Sequence, residues 1–496
     1  MKRRNFILLS SVASSVVLTG CMPMLLAGGM GGMGMDFTSA TNSNPLSSSA
    51  NDKTFNKALA IPPLLEGENR NGTYHYDLKI QKAQHEFFDN TLTDTYAVNG
   101  TYLAPTLKLI NGQDVSLNYT NKLDETTTMH GHGMHLPAKM DGTAHQSIAP
   151  DARWSAKYRV KQKACTNWYH PHAHEKTAEH VYKGLAGLII IEDEQSQSLD
   201  LPKDYGVDDI PLVLQDRFFD AKGQLHYAPS MHQTMMGYKG DAFVTNGVIN
   251  PYVEVSAKEI RLRLLNGSNS TVYNLSFSDN RSFKQIATDN SFLESPVVLN
   301  SVLLSPGERA EIVVNLEDDL GGSLYLMETR QAKAFLKINV NTKATHRTKV
   351  PSVLTRLDKG LVQDATHRRK FVLSARMGQM YINNKSMDMN RVNEVIPLNR
   401  VEIWEVHNQK MMMMGMEHNF HMHGTHFMVV ERNGSIHNVL ENEKGYKDTV
   451  YLASGDSVKL VVKMTDYTDK TTPYMYHCHF LEHEDRGMMG QFLVTK

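Results

Sequence analysis

The 496-residue chain carries 52 Lys and Arg against 53 Asp and Glu, a net charge of −1 that gives no electrostatic reason to bind nucleic acid or an anionic surface. Its length exceeds what one hydrophobic core organises and predicts several domains. With 23 His and 28 Met against 3 Cys, a dense disulfide framework is excluded. Soft or borderline metals are favoured over calcium and magnesium, which take oxygen ligands.

In chain order, residues 1–21 read as an export signal. Lys2, Arg3 and Arg4 precede an apolar stretch, Phe6 to Leu18, that is short for a membrane span. Arg3-Arg4-Asn5-Phe6-Ile7 resembles a twin-arginine signal, and Leu18-Thr19-Gly20-Cys21 resembles a bacterial lipobox. We expect export to the periplasm or cell envelope, with a lipid at Cys21 as the only membrane attachment. Residues 22–54 are rich in Gly, Met, Ser and Asn and predict a flexible tether. Its Met22, Met24, Met30, Met33 and Met35 are either copper(I) thioether ligands or low-complexity filler.

Beyond the tether the pattern is β-rich. Arg261 to Leu265 alternates and meets the turn Asn266-Gly267; Leu303-Leu304 runs into Ser305-Pro306-Gly307, and Glu311 to Leu316 follows. Val401 to Val406 and Ser457 to Val462 alternate too. Short alternating runs with regular turn signals predict an all-β protein built of β-sandwiches. Loose polar stretches near 195–201 and 341–364 divide it into three domains, 55–196, 200–345 and 365–496.

Four histidine clusters carry the chemistry: His130-Gly131-His132, His170-Pro171-His172, His418 with His421-Met422-His423, and His477-Cys478-His479 followed by His483 and Met488. On a strand, residues two apart share a face, roughly 6–7 Å from each other. Each His-x-His pair therefore serves two adjacent metals or one tight site. Four such pairs suit a three-metal cluster. The same alternation turns Cys478 away from that cluster, where it can join His418, His483 and an axial Met488 in a His₂Cys blue-copper site. Structural zinc is the competing reading, but it usually brings several cysteines in tight spacing.

The order and partition of these clusters resemble those of the multicopper oxidases, and His477 to Met489 is especially similar to the bacterial copper-efflux oxidases. Arg261 to Ser268 and Pro306 to Glu311 resemble that family's middle domain. The resemblance covers nearly all the mature chain and implies three cupredoxin-like Greek-key sandwiches. It also implies four copper ions: type 1 held by His418, Cys478, His483 and Met488, and type 2 by His130 and His421. The type 3 pair is implied at His132, His170 and His479 for one ion, and His172, His423 and His477 for the other. Dioxygen reduction needs protons, and the resemblance makes Asp141 the acid beside type 2 and Glu484 a proton relay. Gly131 stands where the family usually has tryptophan, leaving space beside the first pair. His135 and His174 are expected as surface or supporting residues rather than ligands.

For the substrate, Met411 to Met414 and Met416 precede the ligand His418, and thioethers bind copper(I). Met416 is expected as a substrate-copper ligand, with Met387 and Asp388 on a facing loop. The stretch from Arg376 to Met389 is short where the copper-efflux oxidases often carry a long Met-rich insert; it holds Met377, Met380, Met387 and Met389. The predicted function is that of a cuprous oxidase in copper tolerance. Laccase-like phenol oxidation or ferrous-iron oxidation is the alternative substrate reading. An exported copper-storage protein is the non-enzyme reading, but storage needs neither Cys478 between two histidines nor Asp141.

Overall fold

The computed structural model describes residues 54–496, apart from 359, 377 and 411–414. The leader, Cys21, the Met-rich tether, Met377 and Met411 to Met414 lie outside the described residues.

Among the described residues, six sheets pair into three sandwiches. The first sandwich faces a sheet ordered Leu64–Leu65, Thr106–Ile110, Gly187–Glu192, Cys165–His170, His130–His132 against one built on Thr73–Phe88 and Asp114–Lys122. The second sets a seven-stranded sheet containing Glu259–Asn266 and Arg309–Asn315 against a six-stranded one. In the third, one sheet centres on Val401–Asn408 and the other joins Glu394–Pro397, Met489–Thr495, Asp469–His477, His418–Met422 and Thr449–Leu452. Each sandwich buries its own apolar cluster, around Leu117, Leu262 and Trp404 respectively. Inward Val, Ile, Leu and aromatic side chains alternating with polar ones produce that result. The predicted alternating runs all form strands.

Among the described residues, four short α-helices lie on the connections: α1 (Thr177–Lys183), α2 (Glu194–Ser198), α3 (Met231–Met236) and α4 (Leu481–Asp485). One strand departs from the expected division of the chain. Lys57–Ala58 pairs in parallel with Pro251 and Tyr252, so the beginning of the first predicted segment completes a sheet of the second sandwich.

Candidate metal centre

Register brings the histidine clusters together. Trp168 pairs with His132 and His170 with His130 in the first sandwich, while His421 pairs with His477 in the third. In three of the four pairs the second histidine lies just past the strand end, as His172 follows Pro171. Ring centroids within the pairs are 6.0, 6.4, 4.9 and 5.4 Å apart, in chain order.

Five groupings of ligand-type side chains result, each with its atoms within 4.8 Å of one another. They are His130, His132 and His421; His132, His170 and His479; His172, His423 and His477; His418, Cys478 and His483; and His130, Asp141 and His423. All these side chains are buried. Cys478 Sγ lies 3.6 Å from Nδ1 of both His418 and His483, on the side away from the histidine cluster. Met488 is buried beside this site, its carbonyl accepting from Cys478 N and its N–H donating to His483 O.

The outward nitrogens fix the tautomers. Nδ1–H of His130 donates to Asp141 O (2.7 Å), that of His170 to Pro171 O (2.8 Å) and that of His421 to Asp448 O (2.9 Å). His423 Nδ1–H donates to Asp141 Oδ2 (2.8 Å), and His132 uses Nε2–H toward Asp448 Oδ1 (2.8 Å). The remaining nitrogens turn lone pairs inward. His172 and His423 Nε2 sit 3.2 and 3.1 Å from His477 Nε2, and the buried Nε2 atoms of His130 and His421 have no hydrogen-bond partner. Converging lone pairs with no proton between them are unfavourable until a cation is shared among them. The donor set therefore fits copper.

Burial keeps these groups in the states a soft metal needs or must create. It pulls His172 and His477 down to about 3 and His421 and His483 to about 4, so the imidazoles are neutral. Burial also pushes the Cys478 thiol up to about 12, so the thiolate forms only with a cation to offset its charge. Glu484 is raised by burial; its oxygens lie 3.6 Å from His172 Nδ1 and 3.2 Å from His477 Nδ1. Asp141 bridges His130 and His423.

The other expected residues lie around these groupings. Met416 is 4% exposed and packs in the buried cluster of the third sandwich that also holds Cys478 and Met488. Met387 is half-buried, with its N–H donating to Gly487 O, and Asp388 is exposed. His135 bonds Gly424 O and Asp466, and His174 is exposed on the rim of a 390 Å³ cavity that reaches Glu484. Beside Gly131 the space is not vacant: Met134 Cγ would lie 2.9 Å from a Cβ there. That leaves no room for tryptophan without moving Met134.

Sequence reasoning missed four contributors. Asp448 and Thr449 hold the outer nitrogens of His132 and His421, Thr449 Oγ1 lying 3.2 and 3.1 Å from them. Asn419 accepts from His479 N (2.6 Å), and Met235 O accepts from His483 Nε2–H (3.0 Å). Nothing in local spacing marks them, although Asn419 lies directly after His418.

Three family models described as multicopper oxidase match residues 79–196, 208–349 and 355–496. The chain is 37% identical over 438 residues to multicopper oxidase mco of Staphylococcus haemolyticus, covering 88% of this chain and 92% of that one. It is 35% identical over 453 residues to the cell division protein FtsP of Xenorhabdus nematophila, again covering 88% and 92%. The solved structure of CueO, a laccase-like multicopper oxidase from Ochrobactrum sp., superposes with a TM-score of 0.81 at 34% identity. That match covers 88% of this chain and all of the other (100%). Three domain matches along the chain, together with relatives above 30% identity over most of its length, make this protein a member of the multicopper oxidase family, an oxidoreductase that uses copper.

Proposed function

We propose that the protein is a cuprous oxidase that couples copper(I) oxidation at a type 1 site to four-electron reduction of dioxygen at a three-copper cluster. His418, Cys478, His483 and Met488 would hold the type 1 ion. His130 and His421 would hold type 2, with type 3 ions at His132, His170 and His479 and at His172, His423 and His477. Copper bound there supplies one-electron acceptance at the Cys/His site and oxygen reduction at the histidine cluster.

The observation that carries the reading is the position of Cys478. Its side chain faces His418 and His483, while the adjoining His477 and His479 face the cluster, so one short stretch of backbone joins the two sites. Asp141 and Glu484 stand where protons must arrive, each within reach of two cluster imidazoles. The substrate reading rests on thioethers at the type 1 entrance. Helix α3 covers His483 through Met235 O, its Met231 is 69% exposed, and Met387 flanks Gly487.

Oxygen uptake by the copper-loaded protein with copper(I), ferrous iron or a phenol tests this. Met231→Ser with Met387→Ser should slow copper(I) turnover about tenfold, the effect of losing ~1.4 kcal/mol of soft-ligand binding, and leave phenol turnover intact. Phenol or iron turnover exceeding copper(I), indifferent to both methionines, would move the protein to the laccase-like reading. We also propose export with acylation of Cys21; a Cys21→Ala chain that stays in the membrane fraction would count against the anchor.

A further inference from the structure

The middle domain contributes no residue to the five ligand groupings, yet its turn after Ser301–Leu304 forms a wall of the histidine cluster. A Cβ on Gly307, where φ is +85°, would lie 3.1 Å from His479 Cγ and 3.2 Å from His132 Cε1. Only glycine combines that backbone with so close an approach. Two residues on, Arg309 is fully buried. Its Nη2–H donates to Asp448 Oδ2 (2.6 Å) and its Nη1–H to Asp448 Oδ1 (2.8 Å), a two-pronged pair. It also donates to Asn167 Oδ1 (2.7 Å) and Thr166 O (2.9 Å) in the first domain. One guanidinium thus ties all three domains together.

Asp448 is the group through which this matters. Its carboxylate accepts from His132 Nε2–H and its carbonyl from His421 Nδ1–H, while the two rings stack 3.8 Å apart at 10°. Stacked imidazoles that present opposite nitrogens inward need their outward protons assigned separately, and Asp448 assigns both. Gly133, at φ +79°, leaves room for the pair: a Cβ there would come 2.5 Å from Asp448 Oδ2 and 2.7 Å from Arg309 Nη2.

We infer that Arg309 is a positioning residue for the copper cluster. Acting through Asp448, it fixes the tautomers and ring planes of His132 and His421, so the middle domain governs retention of copper at the side of the cluster these two rings line. This rests on the copper assignment proposed above. A planar two-pronged donor does this where an ammonium, a point charge, does not.

The test is copper content, type 2 electron paramagnetic resonance and blue type 1 absorption on the full chain, for wild type, Arg309→Met and Arg309→Lys. Arg309→Met should lose cluster copper, the type 2 signal with it, while the blue absorption per chain stays at the wild-type level. Arg309→Lys should keep the copper count but shift the type 2 hyperfine splitting, and it decides the matter should the Met variant not fold. Wild-type copper and spectra in Arg309→Met, or an unshifted splitting in Arg309→Lys, would overturn the inference alone. Parallel loss of blue and type 2 signals in both variants would also overturn it, as a general loss of structure. A wild-type chain with no type 2 signal would overturn the copper assignment itself, and the inference with it.

Discussion

At the scale of single residues, the site is governed by which nitrogen of each imidazole carries its proton. Asp141 illustrates how one side chain does two jobs: its carbonyl orients His130 and its carboxylate orients His423. Asp141→Asn keeps an amide oxygen that can accept from His423 but removes the ionisable carboxyl to which the proposed function gives proton delivery. We expect wild-type copper content with turnover lowered about a hundredfold, the lower end of what acid–base catalysis supplies. Oxygen uptake normalised to bound copper checks it, and an unchanged rate would remove Asp141 from proton delivery. The ligand-type residues were legible in the sequence as four His-x-His pairs whose grouping the resemblance implied, although in three of the four the second histidine lies past the strand end. Asp448, Arg309 and Met235 were not, because they reach the site from distant strands and turns that only tertiary packing brings near. Met416, two residues before the strand His418–Met422, is buried in the cluster that also holds Cys478 and Met488, a burial that its place in the methionine run did not announce.

At the scale of elements, alternation identified strands but not the destination of their charged faces. Glu259–Asn266 reads as half-buried, yet every residue in it is buried. Arg263 makes two short bonds to Asp209 (2.8 and 2.7 Å), one to Glu311 (2.9 Å) and one to Thr166 of the first domain (2.8 Å). The polar face is thus paired with acids of its own domain and with Thr166 of the first domain instead of solvent. Helix α3 was invisible to periodicity because it spans only six residues. Such a short helix depends on its cap, and Ser230 Oγ accepts from Gln233 N while Gln233 reaches back to Ser230 N. Ser230→Ala should cost about 1 kcal/mol locally and loosen the cover over His483. The expected result is a lower KM for a bulky phenol with unchanged copper content. A phenol KM equal to wild type would mean that α3 does not restrict the type 1 entrance.

At the scale of the whole molecule, the buried imidazoles make the metal-free fold sensitive to acid. His172, His477, His421 and His483, held at about 3 to 4 when folded, take up protons near pH 6.5 once unfolded. Between those values the unfolded chain binds more protons, so stability falls as pH drops from about 6.5 toward 4, by at most about 1.4 kcal/mol per pH unit for each group. Copper-stripped protein should unfold at a markedly lower denaturant midpoint at pH 5 than at pH 7. A flat profile would mean that these rings are not held neutral in the folded state. Bound copper adds stability by binding only the folded arrangement, so chelation should lower the midpoint at any pH. The three-sandwich fold was legible because regular strands and turns recur along the whole chain; the pairing of Lys57–Ala58 with the second sandwich was not, since two residues carry no pattern. Cys478, set between two cluster histidines, is proposed to carry electrons from a substrate-side copper to an oxygen-reducing cluster, and Cys478→Ser tests this most directly. Copper content, blue absorption and oxygen uptake should show the cluster copper retained, the blue band gone and turnover abolished. Oxygen uptake at the wild-type rate in that variant would contradict the account.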